Sequence, residues 1–108
     1  MSVIAFDPAA RVEFLAAVTF YEACESGLGK RFREIVELQV ADISAMPFRF
    51  RILHSRFRRC LIPKFPFYLV FIIEPSLILI VAVAHTKRKP GYWNERIENI
   101  DESQQLFC

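Results

Sequence analysis

The segment His85-Thr86-Lys87-Arg88-Lys89-Pro90-Gly91-Tyr92-Trp93 sets three consecutive cations between a histidine and a pair of aromatics. Lysine and arginine in such a run hold phosphates or carboxylates, and the aromatics can anchor the chain that carries them. The segment follows directly on the most apolar run of the chain, "SLILIVAVA" over 76–84. A purely structural turn needs no such charge. The plainer alternative is a solvated turn, with His85 making a backbone hydrogen bond at a strand end.

A second basic cluster, Arg49, Arg51, Arg56, Arg58, Arg59 and Lys64, precedes the apolar run. From Phe48 to Trp93 these six and Lys87, Arg88 and Lys89 face Glu74 as the one acid. From Met1 to Pro47 the balance reverses, with Arg11, Lys30, Arg31 and Arg33 against Asp7, Glu13, Glu22, Glu25, Glu34, Glu37 and Asp42. The formal net charge of +2 therefore hides a basic second half. A one-sided field of this kind suits a nucleic-acid or acidic-protein partner, although lysine and arginine also protect exposed strand edges from aggregation.

The elements that must position these residues are legible in outline. Asp7-Pro8 supplies a helix cap followed by proline at the first helical position, and Val12, Leu15, Ala16, Thr19 and Ala23 recur at helical spacing. Ser26-Gly27 ends that helix, and a second periodic run, Leu28, Phe32, Ile35, Val36, Gln39, Ile43 and Met46, continues to Pro47. The two form an antiparallel helical hairpin. "SVIAF" precedes it as a strand, while "FRFRIL" and "RFRRCLI" follow as one strand or two short ones.

The stretch Phe65–Ala84 is long enough to cross a bilayer, but Glu74-Pro75-Ser76 at its middle and Pro66 near its start favour two strands joined by a tight turn. The expected fold is α+β in the order β-α-α-β-β-β, a helical hairpin packed on a small twisted antiparallel sheet, with a possible short helix over Tyr92–Ile100. Phe67, Leu69, Phe71 and Ile73 point to one face of that sheet and Tyr68, Val70 and Ile72 to the other. Both faces are apolar, and two helices cover one. A protein partner is the simplest cover for the other, with the terminal segment or a second copy as alternatives.

A chain of 108 residues fits one such domain, and 54% apolar content argues against disorder. Cys24, Cys60 and Cys108 are odd in number and widely spaced, which fits neither a disulfide framework nor a zinc site, so the reading is a reducing cytoplasm with no metal and no cofactor. The N-terminus lacks the pattern of a signal peptide.

Three stretches, "DPAARVEFLAAVTFYEACESGLGKRF", "RRCLIPKFPFYLVFII" and "AVAHTKRKPGYW", resemble in order and spacing the RelE/ParE superfamily of bacterial type II toxin-antitoxin toxins. The resemblance spans about Phe6 to Trp93, which suggests a toxin domain over 1–93 and an acidic tail over 94–108. It implies a cognate antitoxin, bound in a hetero-oligomer, and an intracellular target whose inhibition stops growth. RelE-like members cut messenger RNA on the ribosome by attack of a ribose 2′-OH on the adjacent phosphate. That chemistry would fall here to His85, Lys64, Arg88 and Tyr92, with Lys87 and Lys89 on phosphate. Those members typically carry an arginine on the central strand before a Leu-Val-type pair, and this chain has Tyr68 there. ParE-like members bind DNA gyrase without a catalytic centre, and the absent strand arginine suits them better. Target or antitoxin contacts are then expected at Arg58, Arg59, Lys64, Lys87, Arg88, Lys89, Tyr92 and Trp93.

Overall fold

The computed structural model describes residues 3–97. Strand β1 (Ile4–Phe6) leads into helices α1 (Pro8–Cys24) and α2 (Leu28–Ala45), followed by a short 3-10 turn at Pro47–Arg49. Strands β2 (Ile52–His54), β3 (Phe57–Leu61), β4 (Phe67–Ile73) and β5 (Ile78–His85) then complete one sheet in the order β1-β5-β4-β3-β2. The fold is α+β, as expected, with the segment after the helices resolved into two short strands. The sheet is mixed where an antiparallel one is expected, because β1 pairs parallel to β5 while the other pairs are antiparallel. The helical hairpin carries the chain away from β1, so β1 and β5 meet across a crossover and not across a tight turn.

Helix α1 starts where the Asp7 carboxylate accepts the Ala9 N–H at 3.0 Å, with Pro8 at its first turn. The Glu22 carboxylate of α1 accepts the N–H groups of Gly27 and Gly29, capping the start of α2. Gly29 permits this contact: a Cβ there would lie 2.5 Å from the Val18 carbonyl oxygen. Phe65–Ala84 runs as the β4–β5 hairpin, and no helix among the described residues is long and apolar enough to cross a membrane.

One face of the sheet lies under the helices. Phe32, Val36 and Ile43 of α2 and Ala10 and Ala17 of α1 pack on Leu69, Phe71, Ile78, Ile80 and Val83. Phe14, Tyr21, Phe32, Phe65 and Phe67 form a linked set of rings, with Tyr21–Phe65 centroids 4.8 Å apart and Phe32–Phe65 centroids 5.0 Å apart. The α2 stripe holds inward except at Met46, which caps the helix and is exposed. The α1 stripe does not: Val12, Leu15, Ala16, Thr19 and Ala23 face solvent, while Ala10, Glu13, Phe14, Ala17 and Tyr21 turn inward. Apolar residues populate both sides of this helix, so periodicity alone does not choose the buried one.

The second face is closed by the chain itself. Tyr92, Trp93 and Ile97 lie with Phe57, Tyr68, Val70, Ile72, Val81, Ala82 and Ala84 in a separate apolar cluster. A partner is therefore not needed as cover there, and the terminal segment takes that place. A helical turn begins at Asn94 and the described residues end at Ile97, so the rest of the expected helix and tail lies outside them. The boundary expected after Trp93 falls inside a packed unit, since Ile97 is buried.

The alternation read from β4 matches these two faces, but β5 changes parity midway. Val70 pairs with Ala82 and Phe71 with Ile80, leaving Val81 as a bulge. Ile78 and Ile80 therefore share a face with Val83, and both Val81 and Ala82 belong to the other cluster.

Candidate functional site

Strand β1 stops at Phe6, opposite Ile80, and the chain turns into α1. Beyond Ile80, the β1 side of β5 has no strand partner among the described residues, and the bulge leaves the Val81 carbonyl and Val83 N–H facing that gap. Glu13 fills it. Its carboxylate accepts the Val83 N–H at 3.0 Å and the Tyr92 hydroxyl at 2.7 Å, and it accepts from both terminal nitrogens of Arg96, each at 3.0 Å. Arg88 donates to it at 3.2 Å. Arg96 also donates to the Val81 carbonyl at 2.8 Å, so one guanidinium and one carboxylate together satisfy the open edge of β5.

The electrostatics follow from the burial of this group, whose side chain is 14% exposed. Burial alone would raise the Glu13 pKa, but hydrogen bonds from Arg96, Tyr92 and Val83, with the Arg96 charge, more than offset it and hold the carboxyl below its usual range. The Tyr92 phenol is displaced well upward by burial and by its hydrogen bond to Glu13. Burial opposes the charge on Arg96, but its hydrogen bond to Glu13 prevails and the pKa is raised. The Arg88 guanidinium sits 3.5 Å from the centre of the Tyr92 ring. Gly91, at φ 87°, supplies the left-handed turn that brings Tyr92 and Trp93 back onto the sheet.

The expected residues separate into groups. His85 ends β5, where its Nδ1 accepts the Lys87 N–H at 3.0 Å and its ring meets Phe67 at 5.0 Å. Lys64, with a left-handed backbone at φ 69°, lies in the turn before β4. That turn and the His85 turn share one end of the sheet, joined by the Thr86 N–H to Pro66 carbonyl bond of 2.9 Å. Tyr92 and Arg88 instead turn toward Glu13. Trp93 is 3% exposed and wedged against Tyr68 and Phe57, so its side chain anchors the segment to the sheet. Arg58 donates to the Phe50 carbonyl at 2.7 Å and lies over the Phe48 ring, bracing the approach to β2. Arg59 lies on the second face in a pocket of about 470 Å³ with Leu53, His54, Leu61, Tyr68 and Asn94.

The sequence does not single out Glu13 or Arg96. Glu13 shares the helical face of Ala10, Phe14, Ala17 and Tyr21, where a carboxylate demands a partner, but which face of α1 turns inward is not legible from its periodicity. A further concavity of about 550 Å³ opens between α1, α2 and β1, lined by Ile4, Phe6, Phe14, Leu15, Val36 and Val40 together with Arg11, Arg33 and Glu37.

The matching family model is that of the ParE toxin of type II toxin-antitoxin system, parDE, over residues 4–90. The chain belongs to the ParE toxin family. Among solved structures, it is similar to a chain from the chromosomal ParDE toxin-antitoxin system of P. aeruginosa, at TM-score 0.67 and 15% identity, covering 81% of this chain and 98% of that one. At that identity the likeness is one of fold. No curated protein matches the chain in sequence. In this ParE-family chain Tyr92, Trp93, Arg96 and Ile97 lie beyond the residues matched by the family model, yet Tyr92, Trp93 and Ile97 close the second face of the sheet and Arg96 bonds the open edge of β5.

Tyr68, at the central-strand position where the resemblance implies arginine in an RNA-cutting member, is 8% exposed and lies under Trp93 with the ring planes at 85°. Burial raises its pKa, against a lowering by nearby Arg59. Cys60 is likewise buried, its thiol pushed up to about 11 and donating to the Gln39 side chain, while Cys24 is exposed. No cluster of metal-ligand type exists among the described residues.

Proposed function

We propose that this ParE-family chain arrests growth in the bacterial cytoplasm by binding DNA gyrase, without a catalytic centre of its own, and that a cognate antitoxin neutralises it in a hetero-oligomer. The observation that carries this reading is the use of the would-be cleavage groups by the fold. The Tyr92 hydroxyl is donated to Glu13, Arg88 is folded onto the same carboxylate and the Tyr92 ring, and Tyr68 occupies the expected arginine position under Trp93. A proton-transfer group needs a pKa near the working pH, and the Tyr92 phenol is displaced away from it.

Target contact falls to the exposed cations of the two turns, Lys64, Lys87 and Lys89, with Arg59 beside them on the second face. Tyr92, Trp93, Arg58 and Arg88 hold that surface in shape. The antitoxin covers the apolar concavity between the helices and β1, next to the exposed Leu15 side chain, and brings acidic residues toward Arg59 and Lys64.

The test is supercoiling by purified gyrase with increasing toxin, alongside growth of the source bacterium with and without co-expression of the neighbouring small protein. Supercoiling must fall, and the fall must weaken with salt. Unimpaired supercoiling together with messenger RNA cut on translating ribosomes would replace this reading with the RelE-like one.

A further inference from the structure

We propose that Glu13, on the first helix, is the positioning residue of the basic segment, drawing Arg88 onto its carboxylate and so fixing the turn at 86–89 with Lys87 and Lys89 at a set place. Its effect on activity rests on the gyrase reading above; its effect on the segment does not.

Two kinds of contact hold the segment. Trp93 and Ile97 supply apolar contact with the second face, but apolar contact does not fix register. Directional bonds do, and four of those on the segment converge on one carboxylate, from Arg88, Tyr92 and both terminal nitrogens of Arg96. The carboxylate is itself fixed by the Val83 N–H at the β5 bulge, so the segment is indexed to the sheet through a side chain of α1. Arg88 lies between two lysines. Drawing its guanidinium onto Glu13 and the Tyr92 ring sets the conformation of the residues on either side, while the Lys87 and Arg88 N–H groups are tied back to His85. Lys87 and Lys89 are exposed and have no ion pair among the described residues. The structure thus divides a run of three cations into one that holds the segment and two that are presented.

Replacement of Glu13 by glutamine separates this role from packing. The side chain keeps its length and a carbonyl for the Val83 N–H, but loses the charge that gathers Arg88, Arg96 and Tyr92. In Glu13→Gln, amides within 86–97 should exchange about tenfold to a hundredfold faster, opening while β4 remains protected. Arg96→Met, which leaves the carboxylate intact, should open the same segment, and it serves if Glu13→Gln folds poorly. A segment as protected as in the parent, or one that loses protection only when β4 does, overturns the proposal.

The second arm measures inhibition of gyrase supercoiling in a cycle of Glu13→Gln with Lys87→Ala and Lys89→Ala. If Glu13 places the lysines, their removal weakens the parent but costs little more in Glu13→Gln; full additivity overturns positioning. A parent that does not inhibit gyrase removes the gyrase reading, and the exchange arm alone then decides the role of Glu13.

Discussion

Phe32 and Trp93 each sit over one face of the same sheet and are almost wholly buried, yet different forces keep them there. Phe32 belongs to a helix held by its neighbours along two full elements, and its ring meets Phe14, Tyr21, Phe65 and Phe67. Trp93 belongs to a short segment whose polar ties pass largely through Glu13. Dispersed apolar contact makes the helical face tolerant of changes in charge and sensitive to lost volume. The terminal face has the opposite sensitivity. A concentrated set of charge-assisted bonds completes the attachment of this segment.

That contrast can be broken at its strongest point by Phe32→Ala. The expected loss is about 3–5 kcal/mol in denaturant unfolding, from lost burial and the cavity left behind. A loss of under about 1 kcal/mol would mean that the aromatic face repacks freely and that the contrast is false.

Arg96→Met should cost about 2–3 kcal/mol, since it strips a half-buried carboxylate of its main cation and leaves the Val81 carbonyl unbonded. Near-UV circular dichroism of Trp93 should change while the helical far-UV signal persists. Equal loss of both signals would assign the terminal segment to the same cooperative unit as the helices.

Acid acts on the terminal segment through Glu13. The folded Glu13 pKa lies below its unfolded value, so its contribution to stability is present above the ordinary carboxylate range and is lost as pH falls through the folded pKa. The groups facing it are the guanidiniums of Arg88 and Arg96 and the Tyr92 phenol. The stability gap between the parent and Glu13→Gln should therefore close on acidification. A gap that persists in acid would mean that the charge is not what stabilises the segment.

Tyr92→Phe removes only the hydroxyl, and Glu13 retains Arg96 and Val83, so a cost of about 1 kcal/mol is expected in thermal unfolding. Under the gyrase reading this variant keeps most of its toxicity. Abolished toxicity in a folded variant would point to the phenol as a reacting group. The smallest effect on stability belongs to Lys87→Ala with Lys89→Ala, within about 0.5 kcal/mol, because both side chains are exposed. Gyrase inhibition should nevertheless fall, which separates residues that hold the surface from those that use it.

Much of this molecule follows from residues taken in order. Asp7-Pro8, Gly27 and Pro47 mark helix ends because capping, left-handed backbone and the missing proline N–H act over a few residues. Glu74-Pro75-Ser76 separates two strands for the same local reason, and the alternation along β4 sorts its side chains correctly between two cores. Three choices were decided only in three dimensions. The inward face of α1 was one, since Val12 and Leu15 are as apolar as Phe14 and only contact with α2 and the sheet selects between them. The parity of β5 beyond Ile80 was another, because a bulge depends on the pairing strand and leaves no mark on the apolar run that contains it. The partner of Glu13 was the third. Its ligands come from 70 to 83 residues away in sequence, and a charge pair at that separation exists only once the helix, the end of β1 and the returning segment have been brought together by burial of the surfaces around them.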